Sequence, residues 1–204
     1  MKKTVFRNLR GQDLIENYNR FRKTKPSKLP KKISIWDETL MEGERTPTVF
    51  LTYSERVRLA QALDEIGVAV INVGFPGFSD EERNNVRKLS NESFEQAKLA
   101  VFSRIRKSDV DACLSSSIRQ IAISTAFNDL NLKYVLKKSR EEVLNETKDI
   151  VEYAKKHGLL ANFILEDASR TPIEEILSIL EVASKAGADT WLIRAPTPCP
   201  NNLR

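Results

Sequence analysis

Short apolar runs alternate with amphipathic stretches along most of this chain, which predicts strands and helices taking turns. The apolar runs are Ile33–Asp37, Val68–Phe75, Leu99–Ser103, Gln120–Ser124, Leu160–Glu166 and Thr190–Ile193. Between the first two, Thr52-x-x-Glu55 reads as a capping box, and Val57, Ala60, Leu63 and Ile66 follow at helical spacing up to Gly67. Gly74-Phe75-Pro76-Gly77 breaks the second run, and Ser79-x-x-Glu82 starts the next helix. Ser108 is placed to cap a short helix to about Ser115, and an irregular excursion covers Thr125–Lys138. Ser139-x-x-Glu142 opens a helix through Val143, Ile150, Val151 and Ala154 to His157-Gly158. Thr171-Pro172 has the residue types of an N-cap and a first helical position. Ile176, Leu177, Leu180 and Ala183 follow it along one side, up to Gly187.

Strands regularly followed by helices imply right-handed βαβ units and a parallel sheet. Two closures fit that pattern, an open doubly wound sheet and an eight-stranded barrel. No GxGxxG follows the first run, which removes the best signature of a dinucleotide fold. Polar residues gather at the C-terminal ends of the runs: Asp37 to Glu44, Asn72, Arg104, Asn128 and Glu166 to Arg170. Both closures place their chemistry at that end, so the pattern alone does not choose between them.

Composition narrows the class. With 204 residues, the chain is long enough for one sizeable core. No apolar run nears the ~20 residues that span a bilayer. Cys113 and Cys199 have no CxxC spacing, so a reducing cytoplasm is expected and a disulfide or thiolate framework is not. The net charge of +5 is uneven: residues 1–32 hold eleven Lys/Arg against two Asp/Glu, leaving the rest of the chain at −4. A basic arm can hold nucleic acid, but no aromatic stacking platform accompanies it. A solvated leader or a helix packed on the fold is expected, without a nucleic-acid partner. Three regions result: a basic arm over 1–32, an α/β domain over 33–190 and an irregular Pro-rich tail over 191–204, where three prolines fall within five residues.

The densest chemical segment is Asp37-Glu-Thr-Leu-Met-Glu-Gly-Glu-Arg-Thr-Pro47. Its three carboxylates, Glu38, Glu42 and Glu44, lie just past the first strand beside a glycine. That arrangement suits a hard divalent cation or, equally, a solvated acidic loop. The segment resembles the first-strand signature D-x-T-L-R-[DE]-G-E-Q-x-P of the isopropylmalate, homocitrate and citramalate synthase family, relatives of hydroxymethylglutaryl-CoA lyase. Asp37, Thr39, Leu40, Glu42, Gly43, Glu44 and Pro47 match. Ala62-Leu-Asp-Glu-Ile-Gly-Val with Gly74-Phe-Pro, Arg104 with Ser108-Asp-Val-Asp111, Leu132 to Leu144, and Glu166-Asp-Ala-Ser-Arg-Thr171 resemble later units.

The resemblance implies an incomplete (β/α)8 TIM barrel of about six strands, stopping before closure. It implies an acyltransferase of amino-acid biosynthesis that condenses acetyl-CoA with a 2-oxo acid. A divalent metal (Mg2+, Mn2+ or Zn2+) would polarise the ketone, a base would deprotonate the thioester methyl, and water would release CoA. On this reading Glu42 is the metal ligand, Glu166 lies near the acetyl group, Arg104 and Arg170 organise charge, and Glu44 belongs to the catalytic loop. A Glu at position 42 resembles homocitrate-type members. A homodimer, or a second chain completing the barrel, is the expected assembly.

The departures fall on functional positions. Met41 stands for the signature arginine, Arg45 for its glutamine, Asn72 for a glutamate of the second strand and Asn131 for a histidine. The His-x-His pair that completes the metal site in that family has no counterpart, because His157 is the only histidine. A non-catalytic homologue or inactive fragment with a binding role is therefore the competing expectation.

Overall fold

The computed structural model describes residues 32–195. The basic arm, apart from Lys32, and Cys199 with most of the Pro-rich tail lie outside the described residues. Six strands form one parallel sheet in the order β1-β2-β3-β4-β5-β6: β1 Trp36–Asp37, β2 Val70–Asn72, β3 Lys98–Arg104, β4 Gln120–Ala126, β5 Leu160–Glu166 and β6 Thr190–Ile193. Strand order equals chain order, with no reversal. Right-handed crossovers in that order put every helix on one face. The structure is therefore an incomplete (β/α)8 barrel, and the doubly wound alternative, which needs a switch point, is excluded.

The helices are α1 Thr39–Glu42, α2 Tyr53–Glu65, α3 Asp80–Leu89, α4 Lys107–Leu114, α5 Arg140–Lys156 and α6 Ile173–Lys185. The expected capping boxes form at Thr52/Glu55 and Ser139/Glu142, each side chain bonding the other residue's amide. Ser79 caps α3 as expected, and two other capping expectations change. Ser79 accepts from the Glu82 amide, but the Glu82 carboxylate turns to the Phe75 amide and to Arg56. Ser108 lies inside α4, whose N-cap is Arg106. Thr171 precedes the N-cap of α6, which is Pro172, and its hydroxyl donates to the Asp167 carbonyl. Within the Thr125–Lys138 excursion, Asn131–Leu136 form one π-helical turn, closed by Lys137 in the left-handed region.

Alternation along the strands sorts side chains between two faces. Val101, Ile121, Ile123, Phe163 and Leu165 join Val143, Val151, Ile176 and Ile179 in the core between sheet and helices. The register of Val101 with Ile121, and of Ile121 with Ala161, places Val101 among the helix-facing residues. The opposite face carries Ala100, Phe102, Ala122 and Ile164, then Asn72, Ser124 and Glu166 toward the C-terminal end. Ile164 on this face is fully buried. At the N-terminal end the Asp64 carboxylate accepts from the amides of Glu95, Gln96 and Ala97 at 2.6, 2.9 and 2.6 Å, fixing the entry to β3.

The edges are thinner than the apolar runs predicted. Ile33 and Ile35 precede the two-residue β1 and are exposed. Trp191 and Ile193 of β6 are hydrogen-bonded through the strand, three residues past the expected start of the irregular tail, yet over half exposed. Ile66 and Leu177, expected on apolar helix faces, are exposed as well.

Candidate active site

The loop after β1 begins with a local lock. The Asp37 carboxylate accepts from the Thr39 amide at 2.8 Å and its hydroxyl at 3.0 Å, which starts α1. Leu40 and Met41 then turn inward and are buried, and Gly43–Arg45 tighten into a 3-10 turn. This short helix aims Glu38 and Glu42 over the C-terminal end of the sheet, where the last residues of β5 and β6 arrive.

Three carboxylates converge there on one guanidinium. Arg194, the residue after β6, pairs with Glu38, lies 2.9 Å from Glu42 Oε1 and donates to Glu166 Oε1 at 2.8 Å. Register explains its reach. Leu192 pairs with the inward Ile164, so alternation turns Arg194 to the same interior face as Glu166. Its backbone amide bonds the Leu165 carbonyl, continuing the ladder. Glu166 also accepts from Ser124 Oγ at 2.8 Å. Burial pushes the Glu166 carboxyl above its ordinary range, helped by the nearby Glu42 and Asp167 charges and opposed by the Ser124 bond and Arg45.

Glu42 is ion-paired on two sides. Arg45 Nη1 and Arg194 Nη2 both approach Oε1 to 2.9 Å. Neither N–H points along that line, so this buried oxygen accepts no directed hydrogen bond, while Oε2 accepts from Arg45 at 3.1 Å. Two departures from the signature meet beside this cluster. Asn72 Nδ2 lies 3.5 Å from Met41 Sδ and donates to Glu38 Oε1 at 3.3 Å. A neutral amide and a thioether are thus in contact at the positions where the family signature has a glutamate and an arginine.

The other expected residues lie outside this cluster. Arg104 forms a fork with Asp109, at 2.6 and 3.0 Å, and lies over the Phe75 ring at 5.1 Å. Arg170 pairs with Asp167 at 2.8 and 2.9 Å. Asp167, itself in the left-handed region, also accepts from Asn128 and Asn131 at 3.0 and 3.1 Å. Glu44 turns away under the loop, accepting from the Leu51 amide at 3.0 Å and pairing with Arg56. Of the five expected site residues, only Glu42 and Glu166 are brought together.

A divalent cation does not fit this arrangement as it stands. Among the described residues no three His, Cys, Asp or Glu side chains are grouped to hold one, and the guanidinium of Arg194 lies against the oxygens of Glu38, Glu42 and Glu166. His157 is exposed at the end of α5, its Nδ1 2.8 Å from the Tyr153 carbonyl. Among the described residues, no helix is long and apolar enough to cross a membrane.

The family described as HMGL-like matches residues 32–196. The chain is 42% identical over 159 residues to a 2-isopropylmalate synthase of Sulfolobus acidocaldarius, covering 78% of this chain and 41% of that protein. It is 40% identical over 169 residues to the homocitrate synthase AksA of Methanothermobacter thermautotrophicus, covering 83% and 43%. The chain thus spans about two fifths of the curated relatives' length. Its backbone resembles a Bacillus subtilis HMG-CoA lyase with a TM-score of 0.69 at 16% identity, covering 80% of this chain and 58% of that one. The hydroxymethylglutaryl-CoA lyase of Pseudomonas aeruginosa gives 0.68 at 15% identity, covering 81% and 58%. At those identities the structural likeness speaks for the fold alone.

Proposed function

The chain belongs to the HMGL-like family, and from that premise we propose that it serves an acyltransferase of the 2-isopropylmalate and homocitrate synthase type. The reaction is a condensation of acetyl-CoA with a 2-oxo acid in amino-acid biosynthesis, in the cytoplasm. The observation that carries the reading is the meeting of Glu38, Glu42 and Glu166 at the C-terminal end of a parallel barrel sheet, where barrel enzymes act. Glu166 is suited to take a proton from the acetyl methyl, because burial raises its basicity and Ser124 orients its carboxylate. Arg104 and Arg170 stand at the rim as charges for an anionic substrate, each steadied by an aspartate. No step is routed through a metal, since the residues as placed do not assemble its ligands.

Purified chain, acetyl-CoA and a panel of 2-oxo acids supply the test. Thiol release that depends on the 2-oxo acid and disappears in Glu166→Gln is the expected result. No release with any acid, alongside calorimetric binding of acetyl-CoA or a 2-oxo acid, would replace this reading with the second one. That second reading is a non-catalytic homologue that keeps a binding role. The contact between Met41 and Asn72 favours it, because the Met41 thioether supplies neither the charge nor the N–H donors that would steady developing negative charge.

A further inference from the structure

We propose that Arg194 is the resident cation of this site, its guanidinium taking the position among Glu38, Glu42 and Glu166 that a divalent ion would otherwise take. Three observations carry this. The first is convergence: carboxylates from the β1 loop, from α1 and from the end of β5 meet one guanidinium delivered by the end of β6. A planar fork with five N–H donors can serve several carboxylates at once, as a compact ammonium cannot.

The second is charge. Three carboxylates brought together away from water need a cation. The elements packed around them supply few. Position 41 is a buried thioether, position 72 an amide, and Arg45 reaches Glu42 only, with a side chain that is half exposed. Among the described residues, Arg194 is the cation that touches all three.

The third is the state of Glu42 Oε1. It is buried, faces two guanidinium nitrogens at 2.9 Å and accepts a directed hydrogen bond from neither. It is an acceptor held by charge alone. A metal ion would compete for this oxygen and for the Glu38 and Glu166 oxygens that Arg194 already holds. Guanidinium and divalent ion repel each other and share these ligands, so their occupancy is mutually exclusive.

The test is a Mn2+ titration of the whole chain, followed by the loss of the free-ion electron paramagnetic resonance signal. Circular dichroism checks the fold of each variant. The wild-type chain should leave Mn2+ free. Arg194→Met should take up one ion at least about tenfold more tightly than wild type, and adding Glu42→Gln should abolish the gain. Arg194→Lys, which keeps the charge but loses the fork, should fall between the two, and it stands in if Arg194→Met does not fold. Stoichiometric uptake by wild type, or no gain in a folded Arg194 variant, would overturn the proposal. The readout uses no substrate, so this inference and the acyltransferase reading can fail separately.

Discussion

Phe163 and Trp191 are partners in register on adjacent strands and belong to the same helix-facing row. Phe163 is 0% exposed and Trp191 54%. The next pair repeats the contrast, with Leu165 at 0% and Ile193 at 59%. Both strands are parallel and hydrogen-bonded. What differs is position: β5 lies between two neighbours under helices, whereas β6 has one neighbour and a free outer edge among the described residues. Hydrophobicity in this chain therefore marks strand formation throughout, but it marks burial only in the inner strands β2 to β5. The outermost strands are joined instead by polar chemistry, where Arg194 beside β6 reaches Glu38 beside β1.

That contrast can be broken by substitution. Phe163→Ala should cost the most, ~3–5 kcal/mol by urea denaturation, because a fully buried ring leaves a cavity between sheet and helices. A loss below about 1 kcal/mol would mean that the centre is not the stabilising region. Arg194→Met should cost less, roughly 1–3 kcal/mol, since among the described residues it leaves Glu38 and Glu166 without an ion pair and Glu42 with Arg45 alone at a partly open edge.

Asp64→Asn separates the two regions by pH. The amides of Ala97, then Glu95 and Gln96, hold the Asp64 carboxyl below its ordinary range against the opposing effect of burial. A depressed folded pKa contributes stability above the unfolded value of about 3.9 and loses it as pH falls through the folded value. The variant should melt below wild type at neutral pH, and the gap should begin to close once the pH drops under about 4. A gap constant from pH 7 to pH 3 would count against the three-amide bond as its cause. The smallest effect belongs to Trp191→Ser, expected within about ±0.5 kcal/mol on stability. Its visible consequence should be reduced self-association in sedimentation, because it removes exposed apolar surface.

Much of this architecture was legible before any coordinates. All three Ser/Thr-x-x-Glu N-caps and all six strands were visible, because side-chain capping and apolar runs are local signals. The sheet order was not, since periodicity is the same in an open sheet and a barrel; the resemblance at five strand ends decided it. Of the site, Glu42 and Glu166 were found because they close motifs. Arg104, Arg170 and Glu44 were found as charges, but Asp109 and Asp167, a few residues along the same motifs, and the more distant Arg56 absorb them, and the motif pattern does not show which charge a neighbour takes up. Arg194 was missed. A signal existed, since Thr190, Leu192 and Arg194 alternate inward. Thr190–Ile193 reads as a strand, but the prolines that follow drew Arg194 into the irregular tail, and one more step of the strand period would have placed the arginine beside Glu166.

Arg194 makes a bridge across the incomplete barrel, from beside β6 to beside β1. A double-mutant cycle of Arg194→Met with Glu38→Gln, read as unfolding free energy in urea at neutral pH, measures it directly. The predicted coupling is about 1–3 kcal/mol, as for neighbours that share one ion-pair network. Additivity within about 0.3–0.5 kcal/mol would show that β1 and β6 are not joined through this pair and would contradict the account.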